Sequence, residues 1–560
     1  ISGLHISLLG MGLYRLLRKR LHTQYVTAAL ATTVFLISYA VLSGNGVSTQ
    51  RAVGMCLIYL FADVTGYAYD MLNALGIVVL VLLWENPFLL SYSGFVFSVM
   101  AVIAIGVGAN VLLEWEHSWK RRQQAGEETI KKTFFSRQKE GILVSFAIQL
   151  FTIPLVAYSY YEIPVYAMLI NLFVLAVVNG LLGLTVLGVI VGMAFLPAGR
   201  VLFAPCGWML DSYRFLCEVS LKIPGAQRIT GKPAHMRIFW YYLGLGVFLL
   251  AIYACARRNE KHKDCRETAD LCVSRRKKRL QGIVFSCFIA FLLLFLLFPQ
   301  KKSFEIDFLD VGQGDGIYLC TGGGTSMFID GGSTDVKQVG KYRILPFLKA
   351  KGVSEISYWF VSHTDTDHVS GLKEVLVSGY RVEYLVFAKA VEKEAKTKEL
   401  AELARSHGTK VLYMQAGDTV RNKRADMRCL YPKASDKAED VNDLCLVLQF
   451  EEGDISALFG GDISTDVEEQ LLRRRKWDKV LVFKADHHGS RYANAEALLK
   501  CIRPEITVAS AGKDNRYGHP SPDAVQRIKE SGSRFFCTIE GGRIRVRVIE
   551  NKLVCETYVK

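Results

Sequence analysis

The 560-residue sequence contains no phosphate-binding loop of the form G-x-x-x-x-G-K-S/T, so it encodes no ATP-driven motor of that type. It shows no signal peptide with a charged start and a cleavage site. It opens at Ile1-Ser2-Gly3-Leu4-His5, as expected of a fragment that has lost an N-terminal portion. Its 13 cysteines form no close-spaced ligand cluster, so no cysteine-based metal knuckle is present. Cys56, Cys206, Cys217, Cys255 and Cys287 lie in or beside apolar runs, and Cys265 and Cys272 in a basic loop. Cys320, Cys429, Cys445, Cys501, Cys537 and Cys555 follow in the less apolar half. They read as buried thiols, with a disulfide open to them if that half lies outside the cytoplasm. Acidic charge is short overall, giving a formal net charge of +15. About +13 of this belongs to residues 1–300 and only about +2 to residues 301–560. The excess therefore does not mark a nucleic-acid-binding face on the second half. It concentrates in a few short loops of the first half, as the positive-inside rule requires of a membrane protein.

What is present is hydrophobicity, at 51% of residues and unevenly spread. A spanning helix needs about 20 mostly apolar residues. Segments 25–43, 52–62 with its polar flank, 71–90, 93–113, 141–160, 237–256 and 281–298 qualify. Val165–Leu196 is long enough to predict two spans, or one span plus a re-entrant piece. Segment 201–221 is mixed and suits the membrane interface. The apolar text stops at Phe298, Pro299 and Gln300. Basic residues cluster at 15–20, 120–137 and 257–279, which predicts three cytoplasmic loops. One helix follows the last of them, so the soluble half is expected outside. Ionisable or amide side chains within this half include His5, Arg51, Asp63, Asp70, Asn73, Glu85, Asn86, Asn171 and Asn179. At membrane depth such groups line cavities or pathways; Asp70, Glu85 and Asn86 read instead as helix ends.

The soluble half opens with strand-like text from Phe304 to Val311, followed by Gly312-Gln313-Gly314-Asp315. A second run, Ser326–Asp330, ends in two glycines. A third, Ile356–Val361, leads into His363-Thr364-Asp365-Thr366-Asp367-His368. Four potential ligands within six residues are expected to wrap a cation from a loop, because a helix would scatter them. Ligand-type residues recur at Asp462, at Asp486-His487-His488-Gly489-Ser490, and at Tyr517-Gly518-His519-Pro520, each near a β-type run. Imidazole and carboxylate ligands suit Zn²⁺ or Mn²⁺, with a rising carboxylate share favouring Mn²⁺ or Mg²⁺. His487 reads either as a catalytic group or as a residue orienting a ligand. Lys484 reads either as a phosphate-facing cation or as an exposed lysine at a strand end.

These motifs resemble the metallo-β-lactamase superfamily. With Gln50-Arg51-Ala52-Val53-Gly54-Met55 and Asn86-Pro87-Phe88-Leu89-Leu90 in the membrane half, the whole chain resembles the ComEC family of competence DNA-uptake channels. The resemblance implies a polytopic α-helical membrane domain over 1–300, a multi-helix DNA channel. An extracytoplasmic αβ/βα metallo-β-lactamase-like sandwich would follow over 301–560. It implies one or two divalent metal ions held by His363, Asp365, Asp367, His368, Asp462, His488 and His519. Asp310 and Asp330 would support them, and Asp367, Lys484 and His487 would serve catalysis. Arg51 and His5 would line the DNA path. The implied function is import of single-stranded DNA across the cytoplasmic membrane, with a nuclease degrading the other strand. Its partners would be DNA, the membrane, a competence DNA receptor and a cytoplasmic ATP-driven helicase or translocase. Two features depart from the superfamily pattern: Asp365 stands where many members have His, and Asn442 and Asp443 stand where a His precedes the strand Leu444–Phe450. The rival readings are a membrane-tethered hydrolase of another extracytoplasmic substrate, and a transporter whose metal domain is catalytically silent.

Overall fold

The long apolar runs of the first 300 residues become helices, since a backbone in lipid must satisfy its hydrogen bonds within its own segment. They are α1 (Gly3–Lys19), α2 (Tyr25–Leu42), α3 (Val47–Thr65), α4 (Met71–Glu85), α5 (Ser93–Ile103) and α6 (Asn110–Gln123). Then come α7 (Phe134–Tyr160), α8 (Ala167–Ala194), α9 (Leu196–Lys222), α10 (His235–Lys261) and α11 (Asp270–Leu296). The computed structural model describes residues 3–123, 134–261, 270–299, 302–422, 425–550 and 552–559. The centres of two basic loops, 124–133 and 262–269 with Cys265, lie outside the described residues. The chain divides into two units, Ile1–Phe298 and Pro299–Lys560.

By length and composition, five stretches among the described residues can cross a membrane: Tyr25–Leu42, Ser93–Trp119, Lys139–Tyr160, His235–Asn259 and Arg276–Leu296. The segment expected to break into two pieces, 165–196, instead forms the single 28-residue helix α8. Continuous helix keeps every backbone bond satisfied without a break. α9 returns beside it, and Gly199 approaches so closely that an added Cβ would lie 2.5 Å from Gly192 Cα. The short strands β1 (Glu162–Pro164) and β2 (Gln227–Ile229), which pair antiparallel, close this hairpin at its open end. Pro154 lies inside α7 and has no N–H for the carbonyl four residues earlier. The Tyr241 hydroxyl of α10 donates to that Leu150 carbonyl at 2.9 Å. Asp70 and Asn86 do sit at helix ends, accepting from Asn73 N and Phe88 N at 2.8 and 3.0 Å.

In the second unit, alternating and fully apolar runs form two mixed sheets. The eight-stranded sheet runs β17 (Lys552–Thr557), β16 (Ile544–Ile549), β3 (Glu305–Phe308), β4 (Gly316–Cys320), β5 (Ser326–Asp330), β6 (Glu355–Phe360), β7 (Arg381–Ala388), β8 (Lys410–Met414). The seven-stranded sheet runs β15 (Arg534–Cys537), β14 (Ile506–Ala509), β13 (Val482–Lys484), β12 (Ile455–Phe459), β11 (Val447–Glu452), β10 (Ala425–Tyr431), β9 (Thr419–Asn422). One core joins the facing sides, with Phe308, Ile317, Met427, Phe450, Val482 and Val508 fully buried. α13 (Thr366–Val377) and α14 (Ala395–Ser406) cover the outer face of the first sheet through Leu372, Leu376 and Leu400. α15 (Thr465–Arg474), α16 (Glu496–Ile502) and α17 (Pro522–Glu530) cover the second through Leu471, Leu499 and Ile528. The result is a four-layer αβ/βα sandwich. All six cysteines of this unit are free thiols, so the disulfide left open above is not formed.

Candidate metal centre

β5–β6 and β12–β13–β14 pair in parallel, so their C-terminal ends collect at one edge. The loops leaving those ends carry Asp330, His363 to His368, Asp462, Asp486 to His488, and His519. Asp330, His487 and His488 take left-handed backbone angles, with φ of 58°, 49° and 53°. Three non-glycine residues of this kind at one edge mark a turn geometry maintained at a cost. A cleft of about 390 Å³ opens there, lined by His363, Asp365, Asp367, Asp462, His487, His488 and His519, with Gln313, Thr334, Asn442 and Tyr517 among its walls.

Asp462 is the focus. Its Oδ2 lies 3.3 Å from His368 Nε2, 3.4 Å from His488 Nε2 and 3.9 Å from His487 Nε2. His488 Nε2 also lies 3.7 Å from Asp367 Oδ2. The far nitrogens are tied down: His368 Nδ1 lies 3.0 Å from Asp330 Oδ2, and His488 Nδ1 3.0 Å from the Ser510 carbonyl. Such bonds fix the ring orientation and leave Nε2 free to bind. His368 Nε2, His488 Nε2 and Asp462 Oδ1 are buried without a hydrogen-bond partner. Buried polar atoms without partners are costly, and a divalent cation would satisfy all three. Two overlapping ligand sets, Asp315/His368/Asp462/His488 and His363/Asp367/His368, have atoms within 4.8 Å of one another. The residues present therefore fit one or two divalent metal ions.

The charges explain the protonation states. Burial opposes the charge on Lys484, yet Asp315 and then Asp462 raise its pKa. Burial likewise opposes His368, but Asp462 and Asp330 hold its imidazole well above the usual range; Asp462 and Asp315 do the same for His488. Burial opposes ionisation of Asp462, which the His488 and His368 imidazoles nevertheless hold low. His363 moves the other way, to about 4, through burial and the neighbouring His368. His519 also falls to about 4, through burial and His488. Asp462 thus favours the charged form of two imidazoles, while burial favours the neutral form of His363, His519 and His487 beside them.

Several residues stand otherwise than the sequence predicts. The metal motif does not wrap from a loop: Asp365 is the N-cap of α13, and Asp367 and His368 occupy its first turn. His363 and the N-cap Asp365 precede the first helical residue, Thr366; the roughly 100° turn per residue separates Asp367, on the cleft wall, from the fully buried His368. Asp365 is 44% exposed and pairs with Lys396 at 2.9 Å, while its other oxygen lies 4.0 Å from His363 Nε2. Asp310, expected in support of the metals, faces the surface and pairs with Arg343 at 2.9 Å. Lys484 is not an exposed strand-end lysine; it is 1% exposed and ion-paired with Asp315. It is absent from the cleft wall, so its charge acts on the carboxylates. Sequence reasoning left out Asp315 despite its Gly-Gln-Gly-Asp context. It also left out Ser362, which donates to Asp330 Oδ2 at 2.8 Å, and Cys445, whose Sγ lies 3.3 Å from His363 Nδ1. No local signal marks the last two.

In the first unit Arg51 is buried on α3 and its Nε donates to Ser98 Oγ at 2.7 Å. It lines a cavity of about 720 Å³ together with Arg15, Tyr59, Tyr69 and Phe97. His5 lies on α1, half-buried, and is not among the lining residues.

Fold and site together define a protein with several membrane-type helices followed by an αβ/βα sandwich that holds an Asp/His centre suited to divalent cations. Residues 1–254 match the model of the family described as Competence protein. It is 26% identical over 565 residues to ComE operon protein 3 of Bacillus subtilis, covering 98% of this chain and 67% of that protein. It is 24% identical to Recombination protein 2 of Haemophilus influenzae, covering 99% of this chain and 68% of that one. The chain thus spans about two thirds of the length of these relatives. Among solved structures, the metallo-β-lactamase fold protein YhfI of Bacillus subtilis aligns at 11% identity and a TM-score of 0.32, over 43% of this chain and 100% of that one.

Proposed function

We propose that this chain internalises DNA during natural competence, passing a single strand across the cytoplasmic membrane through its 1–300 domain. In this reading the 301–560 domain is a metal-dependent nuclease that degrades the strand left outside. The observation that carries the catalytic part is the Asp462 centre, with buried imidazole nitrogens lacking partners, in a chain whose residues 1–254 match the Competence protein model. A divalent cation bound there would supply Lewis acidity toward a phosphodiester and its attacking water. The chain's own residues do the rest. Asp330 and the Ser510 carbonyl hold His368 and His488 in orientation. Lys484 offsets the charge of Asp315 and Asp462 from beneath. His487 and His519, on the cleft wall and favoured in their neutral form, are the groups able to accept a proton from the attacking water, and Gln313, Thr334 and Asn442 can donate to phosphate oxygens.

An extracytoplasmic position for this domain is supported by the charge pattern. Two of the five stretches long and apolar enough to span, Tyr25–Leu42 and Ser93–Trp119, lie between the first and second basic loops, and α3 and α4 between them add a pair, so the number is even. The β1–β2 ladder brings both ends of the α8–α9 hairpin together, so that hairpin contributes an even number of crossings. α7 and α10 then keep the second and third basic loops on one side, and α11 carries the chain to the other. A separate DNA receptor outside and an ATP-driven helicase or translocase inside would complete the pathway. The test is cleavage of DNA by the purified full-length chain with Mn²⁺ or Zn²⁺. Asp462→Ala and Asp367→Ala should each abolish cleavage. Activity surviving in the double variant would assign it to another site.

A further inference from the structure

The metal centre accounts for cleavage of a phosphodiester but not for the choice among phosphodiesters. Beside it, the loop after β14 presents a large aromatic ring to solvent. Tyr517 is 49% exposed, yet it belongs to the cleft wall. Its ring stacks nearly parallel on His519, with centroids 5.7 Å apart and planes 24° apart. His519 in turn stands 5.5 Å from His487 and 6.2 Å from His488, ring to ring. A chain of ring contacts, stacked at Tyr517–His519 and edge-on at His519–His487, therefore runs from the metal centre outward to the rim.

This loop is held in shape by one side chain. Asn515 Nδ2 donates to the Gly512 and His519 carbonyls at 2.8 and 2.6 Å, and its Oδ1 accepts from Tyr517 N and His519 N at 3.2 and 3.0 Å. An exposed ring fixed in advance loses little freedom on binding. Over Tyr517 lies the exposed guanidinium of Arg516, with Cζ 4.8 Å from the ring centroid and Nη2 donating to the hydroxyl at 2.6 Å. A long flexible cation on an aromatic face is readily displaced by a flat ring, and it would then be free to meet a neighbouring phosphate.

We propose that Tyr517, backed by His519 and flanked by Arg516, is a stacking platform for the nucleobase next to the scissile phosphodiester, and that it selects single-stranded nucleic acid. This inference rests on the nuclease reading of the same cleft. Every base offers a π face, so the platform is tolerant of sequence. A base within a duplex has its faces covered by its neighbours and must leave the stack to use it. A phospholipid would need an apolar groove for its chains, and this cleft is walled instead by carboxylates, imidazoles, Gln313, Thr334 and Asn442.

The experiment uses the full-length chain in detergent, metal-free for binding and Mn²⁺-loaded for turnover. Binding is read by fluorescence anisotropy with a labelled oligothymidylate, the same strand carrying abasic sites, and a duplex. Turnover is read on the oligothymidylate and on the abasic strand, which reports the metal centre without a ring to stack. Tyr517→Ala should weaken single-strand binding and lower kcat/KM for the strand on the order of 10- to 100-fold. Cleavage and binding of the abasic strand should change little. Tyr517→Phe should keep the preference for single strands, because it keeps the ring. Equal losses of Tyr517→Ala on base-containing and abasic strands would overturn the platform. So would an unchanged affinity for the oligothymidylate. Failure of the wild-type chain to bind or cleave any DNA would instead remove the nucleic-acid reading of the cleft, and the platform with it.

Discussion

Replacing Lys484 by Met isolates the charge beneath the metal centre. The ammonium is 1% exposed, is ion-paired with the equally buried Asp315, and lies 3.9 Å from Asp462 Oδ1. At that separation, and with an effective dielectric constant near 20, one such attraction is about 4 kcal/mol before desolvation. Methionine fills similar volume, so the loss is mainly electrostatic: Asp315 stays buried and loses its cation. Breaking one partner out of a buried pair costs about 3–5 kcal/mol. For a unit of this size that corresponds to a fall in Tm on the order of 10 °C. A bound divalent cation would take over part of the neutralisation of Asp315 and Asp462. The deficit should therefore shrink when Mn²⁺ or Zn²⁺ is added. The assay is tryptophan-fluorescence melting of the full-length chain, with and without metal, for wild type and variant. A metal-free Lys484→Met protein melting within a few degrees of wild type would refute the argument. An undiminished deficit at saturating metal would refute its second half.

Metal binding should release about two protons near neutral pH, because the metal takes the place of protons that Asp462 and its neighbours hold on His368 and His488. Titration calorimetry in buffers of different ionisation heat counts them, and a count of zero would contradict the assignment. The same raised pKa values make these imidazoles stabilising in the metal-free protein below their usual value near 6.5, with the benefit fading as pH rises through the raised values. Metal affinity should correspondingly fall with acidification. Asp365→Ala should weaken metal binding far less than Asp367→Ala, since Asp365 is half exposed and engaged by Lys396; equal losses by competition with a metal-sensitive dye would reverse that order. Arg51→Ala should lower transformation frequency while leaving cleavage of DNA by the purified chain intact, and normal transformation at normal membrane levels would remove Arg51 from the DNA path.

Local properties of the sequence went far here. Hydropathy is summed over neighbouring residues, so the membrane-type helices and the change to soluble text at Phe298–Gln300 could be read directly. His363, Asp367, His368, Asp462, His487, His488 and His519 could be read as one set, because metal-ligand residue types stand at the ends of β-type runs, and the structure brings six of them to one cleft wall, with His368 buried against Asp462. What could not be read depends on partners far along the chain. The continuity of α8 is decided by its packing on α9 and not by its length in apolar residues. Asp367 and His368 fall in a helix because α13 must cover β6 and β7 with Leu372 and Leu376, which carries the helix back to the metal motif. Asp310 and Asp315 are five residues apart in similar text, yet one pairs with Arg343 at the surface and the other with Lys484 in the interior. Lys484 itself ends a three-residue strand that resembles any exposed strand end. It is buried because β13 lies between β12 and β14, under loops from both sheets. A side chain's charge state and role follow from its dielectric surroundings and its counter-charges, and for these residues both come from strands that only the folded sandwich brings together.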